Sequence, residues 1–230
     1  MTQPDDAGRL VVIDGPAGAG KTSVAQRVAR ALGLPLLDTG AIYRTLALVA
    51  RRRGVSWDDA QSLAALAQGL PIRFGELPPP GQPQPVAWGD EDVTAAIRAP
   101  DISQGASKVS AHAPVRAALL EIQRELGRRG CVAEGRDMGT VVFPYARHKF
   151  FLTADLGTRA RRRHAELVAK GGEVPALAEV EREVAERDAR DSERAAAPLK
   201  QADDAVLLDS SRLGVDAVVE TILAAVRRGG

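Results

Sequence analysis

Hydrophobic residues in this chain follow two rhythms. Five short runs, at 10–14, 35–38, 131–134, 149–153 and 205–209, carry apolar residues with little alternation. Runs of this kind suit strands buried on both faces of a parallel sheet. Between them the spacing is helical. Within 22–32, Val24, Ala25, Val28, Ala29 and Leu32 fall on one face, as an amphipathic helix requires. The segments 41–53, 113–129, 156–170, 176–189 and 215–227 also read as helices. Strands alternating with helices predict an open, doubly wound α/β sheet.

The rhythm breaks over 71–111. Ile72-Arg73-Phe74 and Val86-Ala87-Trp88 flank a stretch holding Pro78, Pro79, Pro80, Pro83 and Pro85. Proline donates no ladder hydrogen bond, so an extended surface loop between two short strands is expected. The region reads as an inserted subdomain on a small antiparallel sheet, either a binding element or a structural spacer. The first eight residues and Gly229-Gly230 are expected to fray.

A chain of 230 residues can bury a full core, and a single α/β domain over 1–230 with insertions is the economical reading. Lys and Arg number 31 against 30 Asp and Glu, a formal net charge of +1. That balance argues against a dedicated nucleic-acid binder, which needs a large basic surface. Met1-Thr2-Gln3-Pro4-Asp5-Asp6 has neither a basic start nor an apolar core, so a signal peptide is not expected. No apolar run approaches the roughly 20 residues that span a bilayer. The lone Cys131 fits a reducing cytosol. A cytoplasmic chain with no membrane partner is expected.

Chemistry enters at the end of the first strand. Gly15-Pro16-Ala17-Gly18-Ala19-Gly20-Lys21-Thr22 matches G-x-x-x-x-G-K-[ST] in full,. Its glycines permit positive φ and close backbone approach, so successive N–H groups can converge on phosphate oxygens. The following helix adds its positive end. Lys21 is expected to reach the β- and γ-phosphates and Thr22 to help hold Mg²⁺, with Ser23 a second hydroxyl for the metal or a cap. The loop alone does not choose between a GTPase, an ATP-driven machine and a small-molecule kinase. The Asn-Lys-x-Asp signature of a guanine reader is not in the sequence.

A second set of residues faces the same sheet edge. Asp38-Thr39-Gly40-Ala41-Ile42-Tyr43-Arg44 follows the second run, and Glu134-Gly135-Arg136-Asp137-Met138-Gly139-Thr140 ends the third. Ligands of open α/β folds bind at that edge, so Arg44 and Arg136 can converge on one phosphate; surface salt bridges are the plainer reading for either alone. Arg187-Asp188-Ala189-Arg190-Asp191-Ser192-Glu193-Arg194 reads either as a solvated helix face laced by i,i+4 pairs or as a closing lid. Phosphoryl transfer needs cations to screen the transferring group, and Arg159-Ala160-Arg161-Arg162-Arg163 would supply the lid's other arm. His112, His148 and His164 have no metal-ligand spacing,. Trp57 and Trp88 read as packing anchors.

The strings GPAGAGKT, DTGAIYR, AEGRDMGTVVFP and RDARDSERAAAPL, in this order, resemble bacterial cytidylate kinase, of the nucleoside monophosphate kinase superfamily, over nearly the whole chain. The resemblance implies a P-loop kinase fold: a five-stranded parallel sheet flanked by helices, an inserted monophosphate-binding subdomain at about 71–111, and a helical lid at about 156–199. The core would then comprise about 9–70, 112–155 and 200–228. It implies transfer of the γ-phosphoryl group of ATP to CMP or dCMP, giving ADP and CDP or dCDP, in a chain expected to be a monomer. Ser107, Arg116 and Asp137 resemble the residues that read the cytosine ring. Arg44 and Arg136 resemble the acceptor-phosphate clamp, beside Asp38, Thr39 and Tyr43. Arg187 and Asp191 resemble ribose-side and lid contacts. Arg194 joins them, its base or phosphate role open. Lys21, Arg136, Asp137, Arg187, Asp191 and Arg194 form the expected catalytic set. ATP would be held by residues 15–23 (Gly15, Pro16, Ala17, Gly18, Ala19, Gly20, Lys21, Thr22 and Ser23) with Arg159 and Arg163. Cytosine's exocyclic amino group is a donor that Asp137 can accept from, whereas uracil presents an oxygen there and leaves a buried carboxylate facing it.

The sequence departs from the family pattern at three places. Thr22-Ser23 stands where many relatives have Gly-Thr, which leaves the metal hydroxyl open between the two. Glu134 replaces a frequent aspartate, and the 78–85 stretch has no clear counterpart. The alternatives are a related kinase acting on UMP or another small acceptor, and a nucleotide-dependent regulatory switch.

Overall fold

The computed structural model describes residues 8–171 and 174–229. The hexapeptide at the start of the chain and most of the ends expected to fray, 1–7 and 230, lie outside the described residues.

The chain opens with β1 (Leu10–Asp14), α1 (Lys21–Leu32), β2 (Leu36–Asp38) and α2 (Thr39–Arg52). Then come α3 (Ala60–Ala67), β3 (Ile72–Phe74), β4 (Val86–Trp88), β5 (Glu91–Asp92) and α4 (Pro100–Val109). The remainder is α5 (Ala113–Leu126), β6 (Cys131–Gly135), β7 (His148–Thr153), α6 (Leu156–Lys170), α7 (Leu177–Glu193), β8 (Val206–Asp209) and α8 (Val215–Arg228). Five of the strands form one sheet in the order β2-β6-β1-β7-β8, and every pairing in it is parallel. The central β1 therefore has β6 on one side and β7 on the other, with Asp14 opposite Gly135 and Phe151. This aligns the carboxyl ends of β1 and β6, the place where such sheets bind ligands.

The unalternated runs have a direct explanation in two separate cores. Leu10 and Val12 of β1 pack with Leu37, Ala133 and residues of α2 and α5. Val11 and Ile13 pack on the other face with Val24 and Val28 of α1, Phe150, Leu152 and residues of α8. A strand clothed on both faces has no polar side to alternate with. The edge strand β8 departs from this expectation: only Leu208 is buried, and Val206 and Leu207 are exposed. It has a neighbour on one side only, and α8 packs against the face that holds Leu208.

The 71–111 region holds a three-stranded sheet, β3-β4-β5, antiparallel throughout. It also contains α4, a helix absent from the sequence-based expectation. Its sequence PDISQGASKV is poor in strong helix formers, so packing must supply what propensity lacks. Gly105 makes that packing possible, because a Cβ there would strike the Trp57 ring. Trp57 in turn donates its indole N–H to the Ala47 carbonyl of α2 at 3.0 Å. α2 is buried on nearly every side, from Ile42 and Leu46 to Leu48 and Val49, since the sheet, α3 and α4 all enclose it. Asp38 caps it by accepting from Ala41 N at 3.0 Å, the acid-for-alanine exchange at such a cap being worth about 1 kcal/mol.

Candidate active site

A cavity of about 550 Å³ lies where the loop after β1, the start of α2, α4, the end of β6 and the α6–α7 hairpin meet. Its wall brings together Ala17, Gly18, Gly20, Lys21, Thr22, Ser23, Asp38, Thr39, Tyr43, Arg44, Ser107, Arg116, Arg136, Asp137, Arg163, Arg187, Asp191 and Arg194. Among the expected site residues, Gly15, Pro16, Ala19 and Arg159 stand behind that wall rather than on it.

The loop geometry follows from its glycines. Gly15 has φ 148°, and a Cβ there would collide with the Leu152 carbonyl oxygen of β7; no other residue fits so close to the neighbouring strand. Gly18 and Gly20 also take positive φ, 73° and 90°. Lys21 bends back and donates to the Pro16 carbonyl at 2.8 Å. Two of the loop carbonyls are held from α6. Arg159 donates to Ala17 O at 3.1 Å and to Ala154 O at 2.9 Å, and pairs with Asp188 of α7. Arg162 donates to Ala19 O at 3.3 Å, and to Ser210 Oγ and Ser210 O at 3.0 and 2.7 Å. Arg162 belongs to the basic run expected to form the lid's other arm, whereas Ser210 carries no sequence signal beyond its place just past β8.

On the other side of the cavity, buried charges are cross-linked. Arg116 pairs with Asp137, both almost fully buried, and donates to Ser110 O at 3.2 Å. Arg194 approaches the second oxygen of Asp137 at 4.0 Å and Asp191 at 3.7 Å. Arg136 donates from Nε to Asp191 at 2.9 Å. Arg44 pairs with Asp38 at 2.7 Å, and Thr39 donates to Glu134 O at 2.7 Å. The Arg116 guanidinium lies 5.4 Å from the centre of the Tyr43 ring, within cation–π range. In place of the i,i+4 lacing expected of a solvated Arg187–Arg194 face, Asp191 and Arg194 reach Arg136 and Asp137 just past β6, and Asp188 reaches Arg159 of α6.

The electrostatics mark an anion site. Burial pushes Lys21 down from the usual lysine range, and Arg136 pushes it further. Burial and then Arg136 lower Arg187 to about 10. Neither Lys21 nor Arg187 makes an ion pair among the described residues. Buried cations that repel one another are costly until an anion joins them. Burial alone would raise Asp191, but Arg136 and Arg187 outweigh it and hold the carboxyl below its ordinary range. Burial, then Asp38, pushes Glu134 up. Unpartnered buried atoms sit on the same wall: Tyr43 Oη, Ser107 Oγ, Arg44 Nε, Arg116 Nε, Arg187 Nε and Glu134 Oε1. Polar atoms buried without partners are rare in native proteins and point to an absent partner.

A divalent cation also fits. Thr22 lies beside the Glu134 carboxylate, and these are hard oxygen donors of the kind Mg²⁺ takes. No cluster of three or more His, Cys, Asp or Glu suited to a metal occurs among the described residues. A cation here would therefore take most of its ligands from phosphates and water, the usual habit of Mg²⁺ in phosphoryl-transfer sites.

A phosphate loop faces a cluster of arginines across a cavity of nucleotide size, on a parallel sheet ordered β2-β6-β1-β7-β8. That combination defines a P-loop kinase. The family model for cytidylate kinase matches residues 11–228, and the chain belongs to the cytidylate kinase family. It is 50% identical over 222 residues to the cytidylate kinase of Pseudomonas aeruginosa (strain LESB58), covering 96% of each chain. It is 46% identical to that of Chromobacterium violaceum, covering 93% of each. The bifunctional pantoate ligase/cytidylate kinase of Synechococcus sp. (strain CC9902) is 47% identical over 219 residues, and there the chain spans only 45% of the relative's length.

Proposed function

We propose that this protein transfers the γ-phosphoryl group of ATP to CMP or dCMP, releasing ADP and CDP or dCDP, as a cytoplasmic enzyme of pyrimidine nucleotide metabolism. The observation that carries the acceptor assignment is the buried Arg116–Asp137 pair beside the unpartnered Ser107 hydroxyl. A carboxylate fixed by an arginine is an acceptor that cannot rotate into a donor. It suits the exocyclic amino group of cytosine and rejects the uracil oxygen. Arg116 and Ser107 would serve the ring acceptors.

The remaining residues take their roles from position. The backbone N–H groups of the 15–22 loop and Lys21 bind the donor phosphates, and Arg163 stands over them from α6. Arg44 and Arg136 grip the acceptor phosphate as planar forks, with Asp38 fixing the direction of Arg44. An oxygen of that phosphate attacks the γ-phosphorus, the bond to the β-phosphate oxygen breaks, and ADP leaves. Arg136 and Arg187 screen the charge that spreads over the transferring group. Asp191 accepts from a sugar hydroxyl, and Arg194 keeps Asp137 and Asp191 in place. Bound with ATP, Mg²⁺ would neutralise developing charge on the phosphates, with Thr22 the nearest hydroxyl ligand and Ser23 the alternative. The region over 71–111 acts as the monophosphate-binding insert and 156–199 as the lid. The protein needs no nucleic acid, membrane or second subunit in this reading.

A coupled assay of ADP release across CMP, dCMP, UMP, AMP and GMP tests it. CMP and dCMP should give the highest kcat/KM, and preference for a purine acceptor would overturn the assignment.

A further inference from the structure

The residues after Asp137 do not run straight into β7. Met138–Val142 forms a π-helical turn, with Val142 N donating to Asp137 O at 3.1 Å and Phe143 N to Met138 O at 2.7 Å. Wide turns of this type are rare and frequently lie at functional sites. This one is gripped at both ends by side chains from elsewhere in the fold. At its start, the two oxygens of Asp14 accept from consecutive N–H groups, Met138 N at 2.9 Å and Gly139 N at 2.8 Å. At its finish, Arg124 of α5 donates to the Val142 and Val141 carbonyls, each at 3.2 Å. Negative charge thus meets the N–H groups at the start of the turn and positive charge the carbonyls at its end, the arrangement that stabilises a helical turn.

Asp14 also has a fixed address. It is the last residue of β1, opposite Gly135, and the next residue, Gly15, is locked against the Leu152 carbonyl. The carboxylate cannot shift without moving the start of the phosphate loop. Asp14 is almost fully buried, and none of the substrate roles above uses it. One side chain therefore connects the donor loop to the two residues that follow Arg136-Asp137.

We propose that Asp14 is a positioning residue that holds the Arg136-Asp137 acceptor motif in register with the phosphate loop, with Arg124 as its counterpart at the far end of the turn. The proposal rests on the CMP kinase reading and adds a residue that touches no substrate. It predicts a split between the two substrates. The phosphate loop is built by its own glycines and by Arg159 and Arg162, so loosening the turn should spare ATP. Asp137 and Arg136 hang on the turn, so CMP affinity and base selectivity should suffer.

The test is steady-state kinetics on Asp14→Asn and Arg124→Ala beside the unaltered chain, with both substrates varied and UMP as the comparison acceptor. Asp14→Asn keeps the shape but turns one acceptor into a donor facing an N–H group. It should raise KM for CMP by about tenfold, the scale of one lost charge-assisted hydrogen bond, and narrow the CMP-to-UMP ratio. KM for ATP should stay within about twofold. Arg124→Ala, on a partly exposed side chain, should shift CMP in the same direction by a smaller factor, and it serves if the Asn variant fails to fold. Equal shifts for ATP and CMP, or an unchanged KM for CMP in whichever variants fold, would overturn the positioning role. Absence of CMP turnover in the unaltered chain would instead overturn the function on which the proposal rests.

Discussion

The donor and acceptor sides of the cavity are built by different means. On the side proposed to hold the donor, the groups offered are backbone N–H groups, placed by glycines at 15, 18 and 20, with Arg159 and Arg162 bracing the loop from behind. On the side proposed to hold the acceptor, charged side chains are fixed by one another: Arg116, Asp137, Arg194, Asp191 and Arg136 form a continuous chain of ion pairs. A backbone cradle recognises phosphate and little else, because every polyphosphate offers the same oxygens. A side-chain network recognises a pattern of donors and acceptors, and mismatches are penalised because its members are buried. In the proposed function, generality therefore resides in the loop and selectivity in the network.

That difference can be probed by substitution. The largest effect is expected on the donor side, where Lys21→Ala should lower kcat by about a hundredfold or more, while the thermal unfolding profile retains one cooperative transition. On the acceptor side the first consequence should be stability. Arg116→Ala leaves Asp137 buried with only the more distant Arg194, and chemical denaturation should report a loss of about 3 kcal/mol. Asp191 offers a pH test with a defined sign. Its carboxyl is held below the ordinary range in the fold, so its contribution is present above the unfolded carboxylate pKa of about 4 and is lost as pH falls through the folded value. Stability measured against pH should show that acid-limb loss, and Asp191→Asn should flatten it. The smallest effect is expected away from both sides. Arg51 and Asp101 pair with half their side-chain surface exposed, and Arg51→Ala should change stability by less than about 1 kcal/mol and leave kinetics unaltered.

The same contrast governs what the sequence discloses. The phosphate loop is contiguous, and its glycine spacing is a direct image of its backbone conformation, so it was readable from eight adjacent letters. The five sheet strands were readable because burial on both faces leaves unbroken apolar runs, although β8 lies at an edge and is exposed except at Leu208. Arg44 follows the second run closely, so its place at the sheet edge was readable, and there it pairs with Asp38 at the end of β2, although α2 begins at Thr39, two residues before the expected 41–53 helix. What stayed hidden depends on distant partners. α4 carries Ser107, yet its helicity relies on Trp57 packing against Gly105, a contact no local propensity encodes. α3 is only eight residues long, too short for its periodicity to stand out. The π-helical turn has no propensity signature, and Asp14 reads as an unremarked acid before a glycine until the fold sets it against Met138 and Gly139. Pairings such as Arg136 with Asp191, 55 positions apart, exist only once the sheet and the α6–α7 hairpin have formed.

In the proposed function, a carboxylate held rigid by arginines selects the acceptor base. Measuring kcat/KM for CMP and UMP side by side, in the unaltered chain and in Asp137→Asn, tests it most directly. A strong preference for CMP is expected, narrowing by about tenfold or more in the variant, with KM for ATP unchanged. A CMP-to-UMP ratio equal in the two proteins would contradict it and remove Asp137 from base recognition.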